Sequence, residues 1–226
     1  MINDLAVHTY GIHKAITMLS QFFHNPLFKK SRKEVFSGVR ESWIFIREFI
    51  QSPSSVGSIC PSSRFLAGAL IGMIPAGEGL IVDLGAGSGI VSEALVRSGI
   101  APDRIMPLEI SNSFCGAFTK RCPDVPLVVG DACALESIIA THYGSRPVCA
   151  IVSSLPIRVL HTSVQKKIMA QIRQVLATRG GVYVQYTYAW WRKYPLSTYD
   201  LRPQAACIVM RNIPPAKVEA YYISGK

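Results

Sequence analysis

The chain lacks several things, and each absence removes a class of function. No apolar stretch is long enough to span a bilayer: the best candidate, Phe65 to Gly77, has 13 residues and is broken by glycines and Pro75, where about 20 are needed. A basic stretch followed by an apolar core is missing at the N-terminus, so no secretory leader is expected. The six cysteines include no CxxC pair and no paired framework. That argues against a metal site or a disulfide scaffold, and for reduced, mostly buried thiols in a cytoplasmic protein. Internal repeats and low-complexity tracts are absent as well. Acid is scarce, with 14 Asp and Glu against 24 Lys and Arg, for a net charge of +10.

That charge is unevenly placed. Residues 1–75 carry a net +4, residues 76–157 a net −3 and residues 158–226 a net +9. An acidic middle between basic flanks fits an anionic partner, either nucleic acid or a membrane surface, and charge alone does not choose between them. Hydrophobic residues make up 49% of the 226 and mean hydropathy is +0.26, ample for one core of ordinary size plus an appendage. We divide the chain at 75/76 into an N-terminal segment and a larger α/β domain.

In the N-terminal segment, residues 3–24 place Leu5, Ile12, Ile16, Leu19 and Phe23 at helical spacing, and Asn25-Pro26 ends the pattern. A basic cluster, Lys29-Lys30-Ser31-Arg32-Lys33, precedes a second amphipathic stretch from Lys33 to Gln51. Such helices either dock on the domain or lie in a membrane interface with Lys and Arg on anionic lipid. Ser52 to Ser63 reads as a turn-rich linker, placed where it can close over a ligand. A short helix, Arg64 to Ile74, follows.

The organising stretch is Leu80 to Gly89, LIVDLGAGSG. A buried strand delivers Asp83 to its carboxyl end, and Gly85, Gly87 and Gly89 then turn the backbone into a helix at Ile90. The spacing is GxGxG, not the GxGxxG of dinucleotide enzymes. From here strands and helices alternate, with strands at Leu80–Val82, Arg104–Leu108, Pro126–Val129, Val148–Val152 and Gly181–Tyr186. Two more, Ala206–Met210 and Lys217–Tyr222, flank the stiff joint Asn212-Ile213-Pro214-Pro215. The pattern predicts a doubly wound seven-stranded α/β sheet, five strands parallel plus a terminal antiparallel hairpin.

Chemistry-bearing residues collect at successive strand ends, where such sheets bind ligands. Asp83 can bind an ammonium, Glu109 can accept from both hydroxyls of a ribose, and Asp131 can accept from an adenine amino group beside the backbone of Ala132. Ser153-Ser154-Leu155-Pro156 ends the fourth strand. This arrangement, and Asp83-Leu84-Gly85-Ala86-Gly87-Ser88-Gly89 above all, resembles the class I S-adenosylmethionine-dependent methyltransferases over residues 79–222. The resemblance implies a Rossmann-like methyltransferase sheet with an N-terminal helical extension and S-adenosyl-L-methionine as cofactor. Asp83, Gly85 and Gly87 would hold its methionine end, Glu109 the ribose, and Asp131 and Ala132 the adenine, with Ala86 and Ile110 also in the pocket. Ser153 would complete that pocket.

More narrowly, Val56 to Arg64, Ser154-Leu155-Pro156 and Asn212 to Val218 resemble the bacterial phospholipid N-methyltransferases, which act on phosphatidylethanolamine. By that likeness the first stretch folds over the cofactor, with Ile59, Ser62 and Ser63 in its pocket, and the enzyme is peripherally bound to the inner face of the cytoplasmic membrane. An ornithine-lipid N-methyltransferase would look nearly the same. An adenine-directed RNA enzyme would place an aromatic after Leu155-Pro156, where this chain has Ile157, so a nucleic-acid partner is disfavoured. A non-catalytic binding protein has no need of the intact acids.

Methyl transfer from a sulfonium needs an aligned nitrogen lone pair, not a covalent nucleophile. The amine must first lose a proton, which burial favours. Carbonyls around Ser153 and Leu155 can orient it, and His161 is the nearest proton acceptor, or else only a helix-start residue. Tyr186 and Tyr188 leave the fifth strand on one side and line the headgroup site or are plain sheet-edge tyrosines. Arg158 is the candidate for a substrate phosphate. Trp190-Trp191-Arg192-Lys193-Tyr194 interleaves aromatic and basic groups, which suits a membrane interface or stacked bases. Nothing in the sequence specifies self-association.

Overall fold

A computed structural model of the chain describes residues 61–188, 196–212 and 215–223. The amphipathic stretches at 3–24 and 33–51, the basic cluster, Ile59 and the aromatic-basic run at 190–194 lie outside those residues.

The elements are α1 (Pro61–Ile71), β1 (Leu80–Leu84), α2 (Ile90–Arg97), β2 (Ile105–Glu109), α3 (Cys115–Arg121), β3 (Val128–Val129), α4 (Leu135–Tyr143), β4 (Val148–Ser153), α5 (Thr162–Arg179), β5 (Val182–Thr187), β6 (Leu201–Val209) and β7 (Ala216–Ile223). They form one seven-stranded sheet in the order β3-β2-β1-β4-β5-β7-β6. The pairs among β1 to β5 are parallel, and β7 runs antiparallel to both β5 and β6. The expected sheet and its terminal hairpin are present.

β1, β2 and β4 are buried along their whole length, as parallel strands covered on both faces must be. That explains their apolar runs, Leu80–Val82, Ile105–Leu108 and Val148–Val152, ahead of the polar residues near their carboxyl ends. On one face Leu80, Val82, Met106, Ile151 and Tyr183 pack with Leu135 and Ile139 of α4 and Ile168, Ile172 and Leu176 of α5. On the other, Ile81, Ala150, Val152 and Val184 pack with Leu66 and Leu70 of α1, Leu95 of α2 and Phe118 of α3. So α1, read from sequence as part of the N-terminal segment, supplies two side chains to the domain core.

Two strands differ from expectation. β6 begins at Leu201, not Ala206, and among the described residues β7 is its one neighbour. The polar triplet Arg202-Pro203-Gln204 hides the strand in the sequence. An edge tolerates Pro203, which has no N–H to give a ladder, and the pairing is irregular between Pro203 and Ala205. β3 is only Val128–Val129, without Pro126 and Leu127.

Candidate active site

The glycine turn is built from backbone first. The Leu108 carbonyl on β2 accepts the N–H groups of both Gly85 and Ala86, at 2.9 and 3.1 Å. Gly85, Gly87 and Gly89 all take positive φ (90°, 56° and 86°), the region in which a Cβ is costly. At two of them the structure shows a second reason. A Cβ on Gly85 would collide with the Leu155 side chain, and one on Gly89 would sit 3.0 Å from the Phe118 ring and 3.2 Å from Cys122 Sγ. Neighbouring side chains occupy the room that these glycines leave.

Asp83, fully buried on β1, accepts a 2.7 Å hydrogen bond at Oδ2 from the Ser92 hydroxyl on α2. Glu109, also buried, accepts the Gly87 N–H at Oε2 (2.9 Å) and the Ser111 N–H at Oε1 (2.8 Å). An ionised carboxylate has about four acceptor sites, so these two bonds fix the group without exhausting it. The acid expected to take a ribose is therefore also the brace of the turn.

At the next strand end Asp131 is exposed, and its Oδ1 accepts the Cys133 N–H at 2.8 Å, which caps a short 3₁₀ turn at Ala132–Ala134. Ile110 and Val129, just after β2 and at the end of β3, are 39% and 48% exposed. Apolar side chains left open beside Asp131 make a surface suited to the faces of a heteroaromatic ring.

The substrate-side loop is tied to the same edge. Ser154 N–H donates to the Leu84 carbonyl of β1 at 3.0 Å, and the buried Ser153 hydroxyl accepts the Leu155 N–H at 3.3 Å. Ala86 and Leu155 are buried, while Ser154, Pro156 and Ala132 are half-buried. Ile157 opens a 3₁₀ turn, and its carbonyl accepts from Gln165 Nε2 of α5 at 2.7 Å. Arg158, half-buried in that turn, is close enough for its charge to act on the Tyr221 hydroxyl of β7. Burial, with Glu219 behind it, pushes that hydroxyl far above the usual tyrosine range, and Arg158 pulls it partly back.

His161 is exposed and caps α5: its Nδ1 accepts the Ser163 N–H at 3.4 Å and lies 2.8 Å from the Ser163 hydroxyl. Tyr186 is half-buried on the α1 side of the sheet, its ring edge-on to Tyr188 with centroids 5.5 Å apart. Ser62 and Ser63 fall in the first turn of α1.

Sequence reading missed three supports. Ser92 is a small polar residue fully buried on an apolar helix face, which was a legible clue. Cys122, whose thiol donates to the Gly89 carbonyl at 3.5 Å, and Gln165 gave no signal. Cys122 and Cys149 are buried, but Cys115, Cys133 and Cys207 are only half-buried. Burial raises the Cys122 and Cys133 thiols to about 11.

No family model matches the chain. It is 26% identical over 199 residues to an ornithine lipid N-methyltransferase of Singulisphaera acidiphila, covering 83% of this chain and 97% of that one. Among solved structures it is similar to the 1,6-didemethyltoxoflavin-N1-methyltransferase of Burkholderia thailandensis with S-adenosylhomocysteine, with a TM-score of 0.58, 11% identity and coverage of 87% and 92%. It is also similar to the glycopeptide N-methyltransferase MtfA bound to S-adenosylmethionine, with a TM-score of 0.55, 14% identity and coverage of 77% and 99%. The fold is that of the class I methyltransferases. These relatives are N-methyltransferases, and both solved structures hold the methyl donor or its product.

Proposed function

We propose that this chain transfers a methyl group from S-adenosylmethionine to the amine of a membrane lipid. An ornithine-lipid headgroup is the first candidate and phosphatidylethanolamine the second. The observation that carries the reading is the glycine turn held by Glu109, with open apolar flanks at Ile110 and Val129 and the Ser153–Pro156 loop tied to the same edge. The residues present fit the cofactor: a buried acid at β1, a second acid at β2, and a third beside exposed apolar groups at β3. The lipid class draws support from the Singulisphaera relative, which matches along nearly its whole length.

S-adenosylmethionine supplies a methyl group already activated as a sulfonium. The chain's own residues do the rest. Glu109, Ile110, Asp131 and Ala132 hold the nucleoside end, and Asp83 and the glycine turn hold the amino-acid end. The loop from Ser153 to Pro156, fixed through Leu84 and Ile157, gives the amine a rigid wall, which favours alignment over free tumbling. Seating the amine among Leu155, Pro156 and Tyr186 favours its neutral form, the one with a lone pair to donate. Arg158, in the turn after the loop, meets the anionic part of the headgroup.

An RNA substrate draws no support from this loop. The position where an adenine-directed enzyme needs an exposed aromatic is Ile157, which is 3% exposed and packed in the core. In this reading the chain works from the membrane surface on the cytoplasmic side, where its strongly basic carboxyl-terminal third suits an anionic bilayer; no described helix is long and apolar enough to cross a membrane.

The test is incubation of the full chain with methyl-labelled S-adenosylmethionine and, in parallel, ornithine-lipid vesicles, phosphatidylethanolamine vesicles and RNA. Label in lipid is expected, with ornithine lipid leading. Label in RNA alone, or in none, refutes the proposal.

A further inference from the structure

One patch of surface has no part in the site described above. The register pairs Thr187 at the end of β5 with Lys217, and Val209 with Ala216. The β6–β7 turn therefore stands on the same rim of the sheet as the Ser153–Pro156 loop. At that rim Met210 is 70% exposed and Ile208 49%. Arg211 lies over the Phe65 ring of α1, 5.2 Å from its centroid, and Phe65 is itself 41% exposed. Arg64 beside it is exposed too. The turn is anchored by Asn212, 3% exposed, whose N–H donates to the Val209 carbonyl at 3.2 Å.

Met210 thrust outward beside Arg211 at a held turn, and Ile208 left open two residues earlier on β6, on the face away from α1, give this rim the character of an interfacial contact. Apolar groups enter the acyl boundary while guanidinium groups stay with anionic headgroups. Residues 201–212 contain two arginines and no acid, so the charge suits an anionic surface and opposes a basic one. The preceding chain reaches the fold at Pro61, four residues before Phe65, and its basic run at 29–33 lies upstream of that point.

We infer that Phe65, Ile208, Met210 and Arg211 form a docking edge for an anionic lipid bilayer, which sets the substrate-side rim of the sheet against the membrane. The inference rests on the lipid-amine reading above and adds the surface by which the enzyme meets its substrate. Docking here presents the Ser153–Pro156 loop to headgroups without drawing the lipid far out of the bilayer.

The full chain is mixed with vesicles of phosphatidylglycerol and phosphatidylcholine, and separately with phosphatidylcholine alone. Backbone hydrogen exchange is followed in peptides spanning 205–212. Exchange is expected to slow at least about fivefold on the anionic vesicles alone. The double variant Met210→Glu, Arg211→Glu is expected to bind them at least about tenfold more weakly, with S-adenosylmethionine affinity unchanged by calorimetry. Unchanged exchange at the turn on vesicles that the chain does bind overturns the inference, as does unweakened binding by the double variant. A wild-type dimer that the variant breaks, with no change in vesicle binding, assigns the edge to a second copy and also overturns it. Docking with no label in any lipid leaves the edge standing and refutes the substrate instead.

Discussion

Glu109 and Gly87 are joined by a hydrogen bond across 22 residues of sequence, Oε2 accepting the backbone N–H at 2.9 Å. A carboxylate at the end of one strand thus fixes the shape of the turn that follows its neighbour. Cofactor affinity should depend on this bond twice, through direct contact and through the turn.

Glu109→Gln keeps the shape and removes the charge. A buried hydrogen bond to an ionised group contributes about 1.5–3 kcal/mol, so S-adenosylhomocysteine should bind roughly 10- to 100-fold more weakly. Glu109→Ala should be worse still. Titration calorimetry reads both, and wild-type affinity in the alanine variant would show that the acid does not face the cofactor.

Gly85 and Leu155 make a coupled pair. Gly85→Ala places a Cβ against Leu155 at a φ of 90° and should destabilise the fold by about 2 kcal/mol or more. In a Leu155→Ala background the added methyl has room, so its cost should fall by at least about 1 kcal/mol. Urea unfolding of the four proteins measures the difference. Simple additivity would mean that backbone strain alone sets the cost.

The sequence made the sheet, the glycine turn and the acids at β1, β2 and β3 legible, because buried parallel strands and positive-φ turns leave strong local patterns. What it hid depends on contacts between distant segments. Nothing near Gly85 says that its empty space is filled by Leu155, 70 residues on, and nothing near Glu109 says that its partners are backbone N–H groups. The start of β6 was hidden for another reason: an edge strand need not alternate, and Arg202-Pro203-Gln204 reads as loop.

His161 accepts the Ser163 N–H at the start of α5, a capping role that asparagine also fills. His161→Asn should retain methyl transfer within about threefold, while His161→Ala should lose about 1 kcal/mol of stability. A collapse of the rate in the asparagine variant, with an altered pH profile, would instead make His161 the proton acceptor.

The headgroup contact proposed for Arg158 can be tested on both lipid candidates. Phosphatidylethanolamine carries a phosphate, whereas an ornithine lipid offers a carboxylate as its anion. Arg158→Lys keeps the charge but loses the two-pronged geometry that carboxylates and phosphates accept. KM for the true substrate should rise about 5- to 20-fold with kcat little changed. Measuring both lipids shows which headgroup depends on the guanidinium, and an unchanged KM for both removes Arg158 from the site.

The Cys122 and Cys133 thiols are raised from 9.0 to about 11, chiefly by burial. Below pH 9 both folded and unfolded chains keep these protons, so no stability is lost there. Between about pH 9 and 11 the unfolded thiols ionise first, and folded stability should fall across that window. Replacing both by serine should flatten the fall in urea midpoint. At pH 8.5 alkylation of the two should be far slower in the native chain than in urea.

The outer strand also guards the molecule against its own kind. β6 offers nine residues of backbone with a single neighbour among the described residues, the form of edge on which β-sheets of separate chains fuse. Pro203 withholds a donor there, Arg202 adds charge, and the ladder loses its register between Pro203 and Ala205. An incoming strand can therefore zip only a short way before it stalls. Wherever local concentration is high, this interruption keeps the sheets of neighbouring copies apart.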